Sequence, residues 1–135
     1  MILKVRHAMK DKPPVVDAET SVTKAVRSMI QSGHEAIIVL DEDEIKGTVD
    51  LQNVLRYTYT EGFRPNQIPI GEITNPNVIL ARPNTSLEDA LTIMTETDQY
   101  TLPVVDKELV GTVNMRDILK TQPQTKPAKI KPQIV

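Results

Sequence analysis

The sequence has no cysteine and no tryptophan, only one phenylalanine and three tyrosines, and just two histidines. Without cysteine the chain can form neither a disulfide nor a cysteine zinc site, and it has no thiolate nucleophile. The five glycines fit no glycine-rich phosphate loop. Because aromatic residues are scarce, we expect a core of aliphatic side chains. The sequence therefore predicts no metal site and no catalytic cofactor.

The net charge is −2, which argues against a protein that follows nucleic-acid phosphates with a basic face. No apolar run approaches the roughly 20 residues of a membrane span, and the first residues lack the apolar stretch of a signal peptide. No serine, histidine and aspartate order indicates a catalytic triad. We therefore expect a cytoplasmic protein that is not an enzyme and binds neither nucleic acid nor membrane.

The most prominent feature that is present is a repeat. Thr20-Ser21-Val22 matches Thr85-Ser86-Leu87 about 65 residues later, and Gly47-Thr48-Val49 matches Gly111-Thr112-Val113 at nearly the same offset. Self-similarity at a fixed offset predicts two copies of one supersecondary unit, neither of which buries its apolar face alone. A chain of 135 residues then forms one domain from two packed halves. We expect the function at their seam.

Each copy has the pattern strand, helix, strand, strand, helix. In the first copy, apolar residues at helical spacing from Val22 to Ile30 predict a helix that ends at Gly33. The continuous apolar run 36–40 predicts a strand buried on both faces. The other predicted elements are extended segments at 15–16, 45–49, 78–81, 102–105 and 109–113, and helices at 51–59, from 87 and at 115–120.

The predicted organisation is copy one over residues 1–60, a linker over 61–67, copy two over 68–121 and a tail over 122–135. The linker contains a glycine and a proline. The tail is rich in proline and lysine and has neither helical nor strand periodicity, so we expect an extended arm or the start of a linker to a further domain.

Three motifs of the second copy together resemble a cystathionine β-synthase-type (CBS) domain. They are Ser86-Leu87-Glu88-Asp89-Ala90-Leu91, Leu102-Pro103-Val104-Val105-Asp106, and the segment from Leu109 to Leu119. The first copy resembles the family more loosely, and CBS domains occur as such pairs (Bateman modules). The resemblance implies an α/β fold of two β-α-β-β-α repeats packed with pseudo-two-fold symmetry, with small sheets flanked by helices.

The resemblance also implies a function. CBS pairs commonly form disk-shaped homodimers, bind adenosine derivatives such as AMP, ADP, ATP or S-adenosylmethionine between the repeats, and regulate an effector protein. We therefore expect a ligand-sensing module that modulates a partner. The alternative is a structural dimerisation module with degenerate, empty clefts. Asp50, Glu35 and the scarcity of well-placed basic residues favour that alternative.

Asn114, Arg116 and Asp117 are the main candidate ligand site. They follow a predicted strand and open a helix, where unpaired N–H groups and the helix dipole suit an anion. The resemblance implies that Asp117 holds the ribose and that the residue at 114 contacts phosphate. The same residues also form an ordinary capping box worth about 1 kcal/mol, and the two roles can coexist. The base would lie against the opposite repeat, at Pro14, Val15, Glu35, Ala36 and Ile37.

In the first copy the acid and the amide have exchanged places, as Asp50 and Asn53. An amide holds a ribose less strongly than a carboxylate does, and Asp50 would repel phosphate. We therefore expect a weaker or empty second site. The resemblance adds four residues of the opposite repeat to it, namely Ile79, Tyr100, Thr101 and Leu102.

Phosphate recognition has limited support in the sequence. Arg116 is the best-placed cation, and the lesser candidates are Lys10, Lys12, His34 and Arg56. A ligand with little or no phosphate, such as S-adenosylmethionine or a methylthio nucleoside, is therefore as well supported as AMP.

Overall fold

The computed structural model describes residues 2–121 and 132–134. The first copy contains β1 (Val15–Asp17), α1 (Val22–Ser32), β2 (Ala36–Asp41), β3 (Glu44–Asp50) and α2 (Leu51–Tyr59). The second contains α3 (Leu87–Thr97), β4 (Thr101–Asp106), β5 (Glu108–Asn114) and α4 (Met115–Lys120). Short 3₁₀ helices, Val5–His7 and Ile70–Ile73, lie near the start of the two copies. The predicted α/β fold, with small sheets flanked by helices, is confirmed, and the tail prediction lies mostly outside the described residues.

Local signals fix the ends of the long helices. The hydroxyl of Ser21 accepts a hydrogen bond from the backbone of Lys24 at 3.2 Å, and Ser86 accepts one from Asp89 at 3.0 Å. Serine at this position satisfies one of the free N–H groups of a first turn. Helix α1 ends at Gly33 in the left-handed region (φ 70°), which glycine adopts without a steric penalty.

The two sheets differ in size. Strand β1 pairs in parallel with β2, which pairs antiparallel with β3, whereas β4 and β5 form a two-stranded sheet. The predicted extended segment 78–81 forms only a single bridge, between Ala81 and Val104. The cause is a proline. Ile38 donates its N–H to the carbonyl of Pro14 at 3.0 Å, but its counterpart in the second copy is Pro103, which has no N–H to donate.

A buried glutamine takes over the missing pairing. The Gln99 amide nitrogen donates to the carbonyl of Ile79 at 3.0 Å, and the amide oxygen accepts from the N–H of Ile79 at 3.0 Å. Gln99 is 6% exposed. In the first copy the counterpart of Ile79 is Pro14, whose carbonyl accepts from Ile38 and which has no N–H. The Gln99 side chain thus satisfies the carbonyl that strand β2 satisfies in the first copy, together with the additional N–H of Ile79.

The two copies exchange their leading segments, residues 3–10 and 68–75. Val5 lies in the core of the second copy with Ala90 and Met94, and Ile70 lies in the core of the first copy with Met29. Backbone hydrogen bonds hold both segments, from the N–H of Val5 to Thr85 and from the N–H of Ile70 to Thr20. The packing units therefore cross the sequence boundaries, because the first residues of each copy pack against the other one.

Two glycines permit this exchange. A Cβ on Gly111 would lie 2.5 Å from the carbonyl oxygen of Lys10, and one on Gly47 would lie 2.0 Å from that of Asn75. At these points the exchanged segments bridge β5 and β3 through backbone hydrogen bonds. The repeated glycine therefore has a packing reason that is independent of any ligand. Within residues 2–121 and 132–134, no helix is long and apolar enough to cross a membrane.

Candidate functional site

Helix α4 begins with a complete capping box. The N–H of Asp117 donates to Asn114 Oδ1 at 2.8 Å, and the N–H of Asn114 donates to Asp117 Oδ2 at 3.1 Å. The Asp117 side chain is 5% exposed, and its Oδ1 lies 3.7 Å from Lys10 Nζ. The buried carboxylate is thus held on one oxygen by the N–H of Asn114 and on the other by Lys10 of the exchanged segment.

Helix α2 begins with the same box in reverse order. The N–H of Asn53 donates to Asp50 Oδ1 at 2.8 Å, and the N–H of Asp50 donates to Asn53 Oδ1 at 3.4 Å. Both orders satisfy the free N–H groups of a helix end. They differ in where the charge lies, because the carboxylate is at the cap of α2 but three residues inside α4.

A cavity of about 390 Å³ lies at the start of α2, and we call it the α2 cleft. It is lined from both copies by Ala36, Thr48, Asp50, Gln52, Asn53, Arg56, Asn75, Asp98, Gln99, Tyr100 and Thr101. Four of the six residues predicted for the weaker site meet here. The other two, Ile79 and Leu102, do not line it, and the side chain of Leu102 is fully buried.

A second cavity of about 290 Å³ lies at the start of α4, and we call it the α4 cleft. Its lining is Glu35, Asp50, Leu51, Gln52, Tyr100, Thr101, Asn114, Met115 and Arg116. Three residues predicted for the main site, Glu35, Asn114 and Arg116, meet here. Of the other predicted residues, Ala36 lines the α2 cleft instead, whereas Asp117, Pro14, Val15 and Ile37 line neither cavity.

The two clefts are neighbours on one seam, because Asp50, Gln52, Tyr100 and Thr101 line both. The seam is crossed by an ion pair in which Arg116 Nη2 lies 2.7 Å from Glu35 Oε1. Arg116 belongs to the second copy and Glu35 to the first. The best-placed cation of the predicted phosphate site is therefore already neutralised by a carboxylate that lines the same cleft.

Tyr100 stands at the seam with a fixed hydroxyl. Its O–H donates to Asp98 Oδ1 at 2.9 Å. This hydrogen bond and the negative charge of Asp98 raise the pKa of the Tyr100 phenol above its ordinary value. The phenol therefore stays protonated and directs its proton to Asp98.

The lesser cations have separate positions. Arg56 lines the α2 cleft, and Lys10 lies near Asp117. His34 Nδ1 lies 3.1 Å from the carbonyl of Ser32, and its buried Nε2 has no hydrogen-bond partner among the described residues. Lys12 adopts a left-handed backbone conformation (φ 50°).

Sequence reasoning missed several residues of the α2 cleft, among them Asn75, Asp98 and Gln99. The repeat itself carried the signal for two of them. At the offset of 65, Asn75 is the counterpart of Lys10 and Gln99 is the counterpart of His34, both of which were candidates. Around these clefts, as elsewhere in the described part of the chain, no three histidine or acidic side chains are grouped to hold a metal ion.

The sequence matches the CBS domain family twice, over residues 5–59 and 70–123. The CBS domain-containing protein YhcV of Bacillus subtilis is 29% identical over 119 residues, covering 87% of this chain and 84% of that protein. MJ0450 of Methanocaldococcus jannaschii is 22% identical over 117 residues, and the match covers 84% of this chain but only 63% of MJ0450.

The fold is similar to that of solved CBS pairs. The CBS domain pair of protein MJ0100, solved in complex with 5′-methylthioadenosine and S-adenosyl-L-methionine, superposes with a TM-score of 0.79. The alignment covers 89% of this chain and 95% of that one, at 22% sequence identity.

Proposed function

The chain belongs to the CBS domain family as a tandem pair, and from this membership we propose that it is a ligand-sensing regulatory module. The ligand is an adenosine derivative bound at the seam between the copies, and its binding modulates a partner protein. The observation that carries this proposal is the seam itself. It has two cavities lined by polar groups from both copies.

The size and chemistry of the seam support a nucleoside-sized ligand. Ligand cavities in proteins usually measure about 300–1,000 Å³, and the two clefts, of about 390 and 290 Å³, share four lining residues. The solved complex of the MJ0100 CBS pair contains adenosine derivatives, which supports the same ligand class here.

We assign the ribose to Asp117 and the substituent on its 5′ carbon to the region of Asn114 and Arg116. Asp117 keeps one carboxylate oxygen within 3.7 Å of Lys10 Nζ. The Lys10 side chain is 43% exposed, so it can move into solvent at small cost. Oδ1 then becomes available to the ribose hydroxyls, while Oδ2 keeps its hydrogen bond from the N–H of Asn114, and Asn114 continues to cap the helix.

An exposed apolar stripe on α2 is a candidate surface for contact with a partner chain. Leu51, Leu55 and Tyr59 lie at four-residue spacing on α2 and are 37%, 56% and 80% exposed. Residues at this spacing share one helix face. We propose that this face joins two chains in a homodimer, and that a ligand at the seam shifts the equilibrium between two arrangements of the copies.

The second candidate function is a dimerisation module with empty clefts. The Glu35–Arg116 pair favours it, because the cation expected to hold a phosphate is already occupied. So do the two complete capping boxes, because they give Asp50 and Asp117 a structural role without a ligand.

A thermal-shift panel separates these functions, with AMP, ADP, ATP, GTP, S-adenosylmethionine and 5′-methylthioadenosine as ligands. A ligand at 100 times its Kd stabilises by about 2.7 kcal/mol, which raises Tm by roughly 8–10 °C for a chain of this size. We expect a shift with at least one adenosine compound and none with GTP. A flat panel would instead support the dimerisation module.

Asp117→Ala should abolish the ligand shift while the variant remains folded, with a loss of about 1 kcal/mol from the helix end. Asp89→Ala is the matched control. Asp89 occupies the same position in the first turn of α3 and is exposed, so this variant should retain the full ligand shift. A shift that survives in Asp117→Ala would overturn the assignment of the ribose.

A further inference from the structure

We propose that Glu35 selects the ligand by charge. By holding Arg116 it makes the α4 cleft favour an adenosine derivative whose 5′ substituent is uncharged or cationic over one that carries phosphate. This inference rests on the proposed function and names the ligand class of the same site.

The ion pair of Glu35 and Arg116 lies in the lining of the α4 cleft. Glu35 Oε1 and Arg116 Nη2 lie 2.7 Å apart, and both residues line the α4 cleft together with Asn114. The side chains are 47% and 66% exposed. They are therefore in contact with solvent and free to change partner. A phosphate that approached Arg116 would have to displace Glu35 or bind beside its negative charge.

The net charge along the seam acts in the same direction. The linings of the two clefts carry three carboxylates, from Glu35, Asp50 and Asp98, and two guanidinium groups, from Arg56 and Arg116. Asp50 lines both clefts. A further cation, Lys10, lies beside the Asp117 carboxylate. A displaced Glu35 would thus leave its negative charge facing a phosphate that Asp50 also repels.

An uncharged or cationic substituent meets neither cost. A thioether fits beside Met115, which lines the α4 cleft, and leaves the Glu35–Arg116 pair intact. A positive centre is attracted by the carboxylates of the seam. The ion pair therefore acts as a filter on the group bonded to the 5′ carbon, while the ribose itself is held as proposed above.

The test compares AMP with 5′-methylthioadenosine, since both share the adenosine group and differ in the charge at the 5′ position. Each is titrated calorimetrically into the full chain, its Glu35→Gln variant and its Glu44→Gln variant. Glu44 begins β3, whereas the clefts lie at the other end of that strand. It is therefore a matched exposed carboxylate away from the site.

We expect the wild-type chain to bind 5′-methylthioadenosine more tightly than AMP. In Glu35→Gln the affinity for AMP should rise about five- to ten-fold, since the variant removes both an exposed ion pair and a repulsive charge. The affinity for 5′-methylthioadenosine should change less than about two-fold, and Glu44→Gln should alter neither. Adding Arg116→Gln to Glu35→Gln should remove the gain for AMP.

An unchanged ratio of the two affinities in Glu35→Gln would overturn the inference, and so would a gain for AMP that persists without Arg116. Both results would leave the proposed function intact. Absence of binding by both compounds, in the wild-type chain and in Glu35→Gln, would overturn the inference, and a flat thermal-shift panel beside it would overturn the proposed function as well. Melting curves without ligand show that each variant is folded. Glu35→Ala repeats the test with a variant that removes the side chain as well as its charge.

Discussion

The two copies fold alike and yet present different chemistry at the seam. Where the first copy has Ile38, the second has Pro103, and the three-stranded sheet becomes two-stranded with Gln99 in place of the lost pairing. Where α2 begins with Asp50 followed by Asn53, α4 begins with Asn114 followed by Asp117. The shared residues maintain the packing. The differences lie around the clefts, so one fold can provide one ligand site and one that is weaker or empty.

The strongest test of the shared packing concerns the glycines at the exchanged segments. Gly47→Ala and Gly111→Ala should each lower the free energy of unfolding by about 3 kcal/mol, because the new methyl group would overlap a backbone carbonyl that cannot move freely. Urea denaturation measures the loss.

Gly62→Ala is the control for these two variants. Gly62 has φ 70° and open space around its Cα, so alanine there costs only backbone strain, about 1 kcal/mol. If either Gly47→Ala or Gly111→Ala were as mild as this control, the close approach of the exchanged segments would be refuted.

The contrast between strand pairing and the buried glutamine predicts a smaller effect. Gln99→Ala should destabilise the chain by about 1–2 kcal/mol, because it removes hydrogen bonds to Ile79 and Thr101 and leaves their backbone groups without partners. Gln31→Ala, an exposed change on α1, should cost less than about 0.5 kcal/mol. Equal losses in the two variants would show that Gln99 does not replace the missing strand.

The capping boxes predict the smallest change in stability and the most informative change in binding. Exchanging the two residues, as Asp50→Asn with Asn53→Asp, gives α2 the order found in α4. Asparagine and aspartate cap helices about equally well, so the free energy of unfolding should change by less than about 1 kcal/mol.

The exchange also moves the carboxylate from position 50, which lines both clefts, to position 53, which lines the α2 cleft but not the α4 cleft. We expect the double variant to bind a second equivalent of an adenosine compound, detected as a doubled stoichiometry in calorimetry. An unchanged stoichiometry would mean that the order of acid and amide does not set the difference between the clefts.

The sequence predicted most of the local structure. Helices α2 and α4 have the predicted bounds, and β3 extends one residue beyond its prediction at each end. The periodicity of apolar residues and the capping residues determine these elements locally. Part of each predicted group, around Asn114 and around Asp50, also meets at a cavity, because equivalent positions in two repeats are brought to one seam.

The rest depends on contacts between distant segments, which leave little trace in one sequence. The exchange of Val5 and Ile70 between the cores is set by contacts with distant residues, such as Thr85 for Val5 and Thr20 for Ile70. The pair of Glu35 and Arg116 forms only because two copies meet. The pairing of Gln99 with Ile79 gives no local signal, since the two residues are 20 positions apart.

The central claim is that an adenosine compound binds at the seam with its ribose on Asp117. The most direct measurement compares the thermal shift produced by 5′-methylthioadenosine in Asp117→Ala with that in Asp50→Ala. Our account predicts that the shift disappears in Asp117→Ala and persists in Asp50→Ala. A shift that persists in Asp117→Ala and disappears in Asp50→Ala would place the ligand in the α2 cleft and contradict the account.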